Sequence, residues 1–91
     1  MYIVNKPNYT AIYTGEVDFL ISYGIVVCSW HWNNKGTKKP VFQRHWDGWS
    51  RTTQRHVGDF LISVGSGRAL ASKANWDSMP VIPATISLLT V

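Results

Sequence analysis

With 91 residues and a mass of 10.3 kDa, the chain has room for one small domain. Charged residues make up only 15% and hydrophobic residues 45%, which excludes intrinsic disorder, and no apolar run approaches the roughly 20 residues of a membrane-spanning helix. Nine Lys/Arg against five Asp/Glu give a net charge of +4, a mildly basic chain in which five tryptophans are the unusual count.

In chain order, residues 2–4 are a short β-branched stretch stopped by the turn Asn5-Lys6-Pro7-Asn8. Residues 9–13 predict a second short strand, ended at Thr14-Gly15. The strongest strand signal runs over 17–32, dense in Ile21, Tyr23, Ile25, Val26, Val27, Trp30 and Trp32. Gly24 inside that run predicts a bulge or bend. Residues 33–40 read as a polar hairpin turn in which Gly36 is free to take positive φ, and residues 41–46 as the return strand.

Asp47-Gly48 then predicts a turn, and Ser50 or Thr52 an N-cap. Val57, Phe60, Leu61 and Val64 follow at i, i+3, i+4 and i+7, one stripe of a helix over 52–64, stopped by Gly65-Ser66-Gly67. Residues 68–76 predict a short second helix capped by Asp77-Ser78. Pro80 and Pro83 punctuate a closing strand over 84–91, with Ile86, Leu88 and Leu89 apolar. The expected fold is therefore α+β, a single domain over 1–91. A small antiparallel sheet (hairpin 17–46, closing strand 84–91) carries one main helix, 52–64, on one face.

Cys28 is the single cysteine, so no internal disulfide can form and a reducing interior is the expected home. The start of the chain has no signal-peptide pattern, and a soluble, cytoplasmic protein is expected. The Asn8-Tyr9-Thr10 triplet fits a glycosylation site that an intracellular chain would not use.

The charge is unevenly spread. Residues 31–56 hold Lys35, Lys38, Lys39, Arg44, Arg51 and Arg55 against Asp47 alone, a net +5, while the rest of the chain nets −1. Trp32, Trp46, Trp49 and Phe42 lie in the same segment with all three histidines, and Trp30 immediately precedes it. Cations neutralise phosphates and aromatic faces stack on bases, so this interleaving predicts a nucleic-acid surface. The competing reading makes Trp30, Trp32 and Trp46 core and the lysines a means of keeping the hairpin tip soluble.

Other constellations carry less. Cys28, His31, His45 and His56 lack the paired spacing of a zinc site, and strand alternation sends Cys28 and His31 to opposite faces, so no metal is expected. Cys28 lies in an apolar run that makes a thiol inert, and the five acids are scattered. Neither catalysis nor a cofactor is expected. Gly65-Ser66-Gly67-Arg68 lacks the Gly-Lys-Ser/Thr of a phosphate loop and reads as a helix end. At Thr52-Thr53-Gln54-Arg55-His56, one reading is a cap that docks helix to strand. The other is an anion site made by Arg51, Arg55 and His56, helped by the helix dipole.

Leu20-Ile21-Ser22-Tyr23-Gly24-Ile25-Val26-Val27, followed by Trp49-Ser50-Arg51-Thr52-Thr53-Gln54-Arg55-His56 and an apolar helix, resembles a family of small bacteriophage proteins and domains. That family shares a Ser-Tyr strand with a Val pair and a helix start of the form aromatic-Ser-x-Thr-Thr-x-Arg/Lys-His. The likeness covers about half of the chain. Here the hairpin turn is basic, and Trp49 stands where Tyr is more usual. The resemblance implies a phage-encoded protein made inside a bacterial host, and no particular activity.

The function expected is that of an accessory protein binding nucleic acid or a host nucleoprotein. Lys35, Lys38, Lys39 and Arg44 would meet phosphates, Arg51, Arg55 and His56 would extend the footprint, and Trp46 or Trp49 would stack. The alternative is an anti-defence inhibitor, for example an anti-CRISPR, that blocks a host protein. A homodimer paired through 84–91 is a further expectation, and no membrane partner is.

Overall fold

The computed structural model describes residues 2–14, 17–33 and 39–83, with the side chains of 32, 33, 39 and 40 left aside. Five strands, β1 (Tyr2–Asn5), β2 (Tyr9–Tyr13), β3 (Val17–Ser22), β4 (Ile25–Asn33) and β5 (Lys39–Arg44), form one antiparallel sheet in the order β1-β2-β3-β4-β5. Helix α1 (Arg51–Ser63) is the main helix, followed by a 3-10 turn (Arg68–Leu70) and the short α2 (Lys73–Ser78). The architecture is α+β, a small antiparallel sheet with one main helix. The expected closing strand and its dimer contact fall on 84–91, outside the described residues.

The long strand expected over 17–32 is two strands. Tyr23 and Gly24 take φ of 52° and 78°, and Ser22 pairs with Ile25 across them. Two successive positive φ values make a two-residue hairpin turn whose twist matches that of the flanking strands. The bulge or bend expected at Gly24 is this turn, and a separate bulge lies where the register shifts between Leu20 and Ile21 and Val27 becomes the extra residue opposite them.

One row of the sheet runs Val4, Ala11, Leu20, Cys28, Arg44 through successive strand partners. Ala11 and Cys28 are small, which leaves room above them for the apolar stripe of α1. Val57, Phe60 and Leu61 settle there and join Ala11, Leu20, Val27, Cys28, Trp30 and Trp76 in one buried cluster. Burial of that stripe, more than helix propensity, holds a 13-residue helix in place. Burial also pushes the Cys28 thiol far above its ordinary range, so it is an inert core residue.

The ends of α1 are set locally. Ser50, one of the two N-cap candidates, accepts from the Thr53 amide at 3.0 Å, while Thr52, the other, lies inside the helix. At the other end Gly65 takes φ 88°, Ser66 N donates to Leu61 O at 2.8 Å and Gly65 N to Ile62 O at 3.0 Å, a Schellman closure. The second helix, expected over 68–76, is divided at Ala71-Ser72. Ser72 caps a new start by accepting from the Asn75 amide at 3.2 Å, and Asp77 and Ser78 lie inside α2 instead of beyond it. Among the described residues, no helix is long and apolar enough to cross a membrane.

Candidate functional site

Of the expected basic-aromatic surface, the described residues include Arg44, Trp46, Trp49, Arg51, Arg55 and His56. Strand β5 runs from Lys39, opposite Asn33, to Arg44, opposite Cys28. At about 3.3 Å per residue these ends are roughly 16 Å apart, and the chain leaves toward α1 from the Arg44 end. Lys35 and Lys38, with the side chain of Lys39, lie outside the described residues.

Arg44 is corrected from a phosphate contact to an internal clamp. It is 8% exposed. Its Nε donates to Trp46 O, Nη1 to Trp76 O and Nη2 to Asp47 O, each at 2.8 Å, and its guanidinium lies 5.1 Å from the Trp76 ring centroid. Those bonds explain why the return strand ends at Arg44 instead of 46, because the chain curls around the guanidinium. Trp76 is fully buried, donates from Nε1 to Gly48 O at 2.7 Å and packs on Trp49 at 5.1 Å between centroids. Trp46 and Trp49 are both packed against the core, and a Cβ added at Gly48 would overlap the Trp46 indole. Neither ring stands out as a stacking platform.

His56 follows the docking reading. It is 6% exposed, and its Nδ1 lies 2.9 Å from the Ser22 hydroxyl, which ties the first turns of α1 to the end of β3. Burial lowers its pKa, partly opposed by Asp59. His45 is similarly placed. Nδ1 donates to Ile82 O at 2.6 Å, leaving Nε2 to accept from Ser29 Oγ at 2.7 Å, and burial again lowers the pKa. Among the described residues, no group of three His, Cys, Asp or Glu is placed to hold a metal.

Arg51 and Arg55 remain exposed, one turn apart at the start of α1, and no ion pair engages either among the described residues. The first turn of α1 carries no acid. Like charges at i, i+4 repel, and cations at a helix N-terminus oppose the dipole, so this arrangement costs a few tenths of a kcal/mol or more (~0.3–1) for folding. With Gln54, Arg68 and Ala71 these arginines line a cleft of about 400 Å³. Arg68 reaches it by crossing Gly58, where an added Cβ would sit 2.7 Å from Nη1, and Asp59 anchors its other nitrogen at 2.7 Å. Asp59, one turn beyond Arg55, is thereby paired elsewhere.

On its other side Arg55 lines a second cleft, of about 340 Å³, with Lys6, Tyr9, Tyr23 and His56. The β1–β2 turn, the β3–β4 turn and the start of α1 meet at this end of the sheet. No protein-family profile, curated protein or solved structure matches this chain. The site is therefore read from its own chemistry, a cationic ridge at Arg51 and Arg55 with a three-arginine cleft on one flank and an aromatic cleft on the other. Lys6, Tyr9 and Tyr23 were not singled out as site residues in the sequence, and Arg68 was read only as part of a helix end, because the four come from separate stretches.

Proposed function

We propose that this chain acts by binding nucleic acid, through the end of the sheet from which α1 starts. The single observation that carries the reading is the pair Arg51 and Arg55, exposed, without an ion-pair partner among the described residues and set against the helix dipole beside Arg68. An arrangement that costs stability and serves no internal contact is suited to an external polyanion. The likeness of its helix start to small bacteriophage proteins supports an accessory role inside a bacterial host. Fluorescence anisotropy with labelled DNA and RNA, titrated with salt, tests it. Binding should weaken steeply with salt, and Arg51→Glu/Arg55→Glu should abolish it at low salt; the absence of low-salt binding by the unaltered chain would overturn the reading.

A second reading, an inhibitor that docks on a host protein, rests on β1. Tyr2 and Ile3 are 63% and 53% exposed on a strand whose outer edge pairs with no described strand, an edge of the kind that accepts a partner strand. Capture of a host protein that Ile3→Lys abolishes would favour this reading over the first.

A further inference from the structure

The β3–β4 turn carries a tyrosine where the backbone calls for Gly, Asn or Asp. Tyr23 sits at φ 52°, in the left-handed region that bulky side chains rarely adopt, and its side chain gains nothing by burial, being 71% exposed. Its ring instead borders the cleft, 6.2 Å from the His56 ring, and the Tyr9 ring lies 4.7 Å from that imidazole. Three rings thus line one wall, and Arg55 and Lys6 supply cations at its rim. Asp59, the one acid among the described residues lining it, is held by Arg68.

We propose that Tyr23 is a stacking platform for a base of single-stranded nucleic acid, with Arg55 and Lys6 on the adjoining phosphates. This rests on the nucleic-acid reading above and adds the form of ligand. A duplex keeps its bases stacked on one another and offers no face to Tyr23, whereas a single strand can turn a base outward onto an aromatic ring. The cationic ridge then tracks the backbone on toward Arg51 and Arg68. The left-handed tyrosine is retained for its exposed ring, at a cost to the turn.

The test compares one labelled sequence as a single strand and as a duplex, at fixed low salt, against the unaltered chain, Tyr23→Gly and Tyr23→Phe. Glycine suits the turn, so Tyr23→Gly should melt at the same temperature or higher while losing roughly five- to hundred-fold in single-strand affinity. Tyr23→Phe should bind as the unaltered chain does, and the duplex should bind more weakly than the strand. Failure of every strand to bind would overturn both this inference and the parent reading. Arginine-dependent binding that is unchanged in Tyr23→Gly, or equal for strand and duplex, would overturn this inference alone. So would equal affinity for a free nucleoside monophosphate, which would make the cleft a nucleotide site.

Discussion

Two arginines of the same strand-to-helix segment do opposite work. Arg44 holds the carbonyls of Trp46, Asp47 and Trp76, three bonds at 2.8 Å that no other described side chain replaces. Arg44→Met should therefore cost about 3 kcal/mol in urea denaturation, because it leaves buried acceptors unsatisfied. Arg55→Gln should change stability by less than about 0.5 kcal/mol, since it removes only an exposed cation from an unfavourable place. Equal costs for the two would contradict the division between clamp and ridge. Gly48→Ala should also destabilise, by about 1–3 kcal/mol, through overlap with the Trp46 indole. Phe42 and Arg44, two apart on one face of β5, both meet Trp76, Phe42 at 6.2 Å between ring centroids. What lies above that face is Trp76, 32 residues further along than Arg44, and no local pattern reports a contact at that separation.

At the scale of elements, the legible features were those decided by neighbours in sequence. The Ser50 cap, the stripe of α1 and its glycine stop rest on bonds within a few residues, and they stand where the sequence put them. Ser50→Ala should cost about 1 kcal/mol and fray the first turn, measurable as lost amide protection at Thr53. The hairpin at Tyr23-Gly24 was obscured because β-branched residues crowd both sides of it, and the division of the second helix because nothing in 68–76 signals that Ser72 begins a fresh turn. Two histidines link elements: His56 ties α1 to β3, in line with the docking reading, and His45 reaches the segment at Ile82, which no local pattern signals. Both pKa values are lowered by burial, so the unfolded chain takes up protons first as the pH falls. The stability they contribute is complete above the ordinary histidine value, about 6.5, and is lost as the pH drops through it toward the lowered folded values. Tm should fall on acidification from about pH 7.5 to about pH 5. A His45→Gln/His56→Gln variant should lose that dependence even if its Tm is lower throughout, and a flat profile in the unaltered chain would contradict the assignment.

For the whole molecule, the charge that the sequence displayed as one basic segment is only partly at the surface among the described residues. A linear count includes Arg44 and His56, although the fold buries both. Arg51 and Arg55 stay exposed at the start of α1. In exchange, the turn at Lys6 and the segment at Arg68 bring cations to α1 from stretches where the sequence shows no excess. The central claim is that the ridge at Arg51 and Arg55 meets phosphates, and salt-dependent binding reads this most directly. In anisotropy titrations over a range of salt, log K should fall linearly with log salt. Each of Arg51→Gln and Arg55→Gln should make that slope shallower by about one phosphate's worth, roughly 0.7–0.9. A slope that neither substitution changes, or affinity that does not respond to salt, would contradict the account.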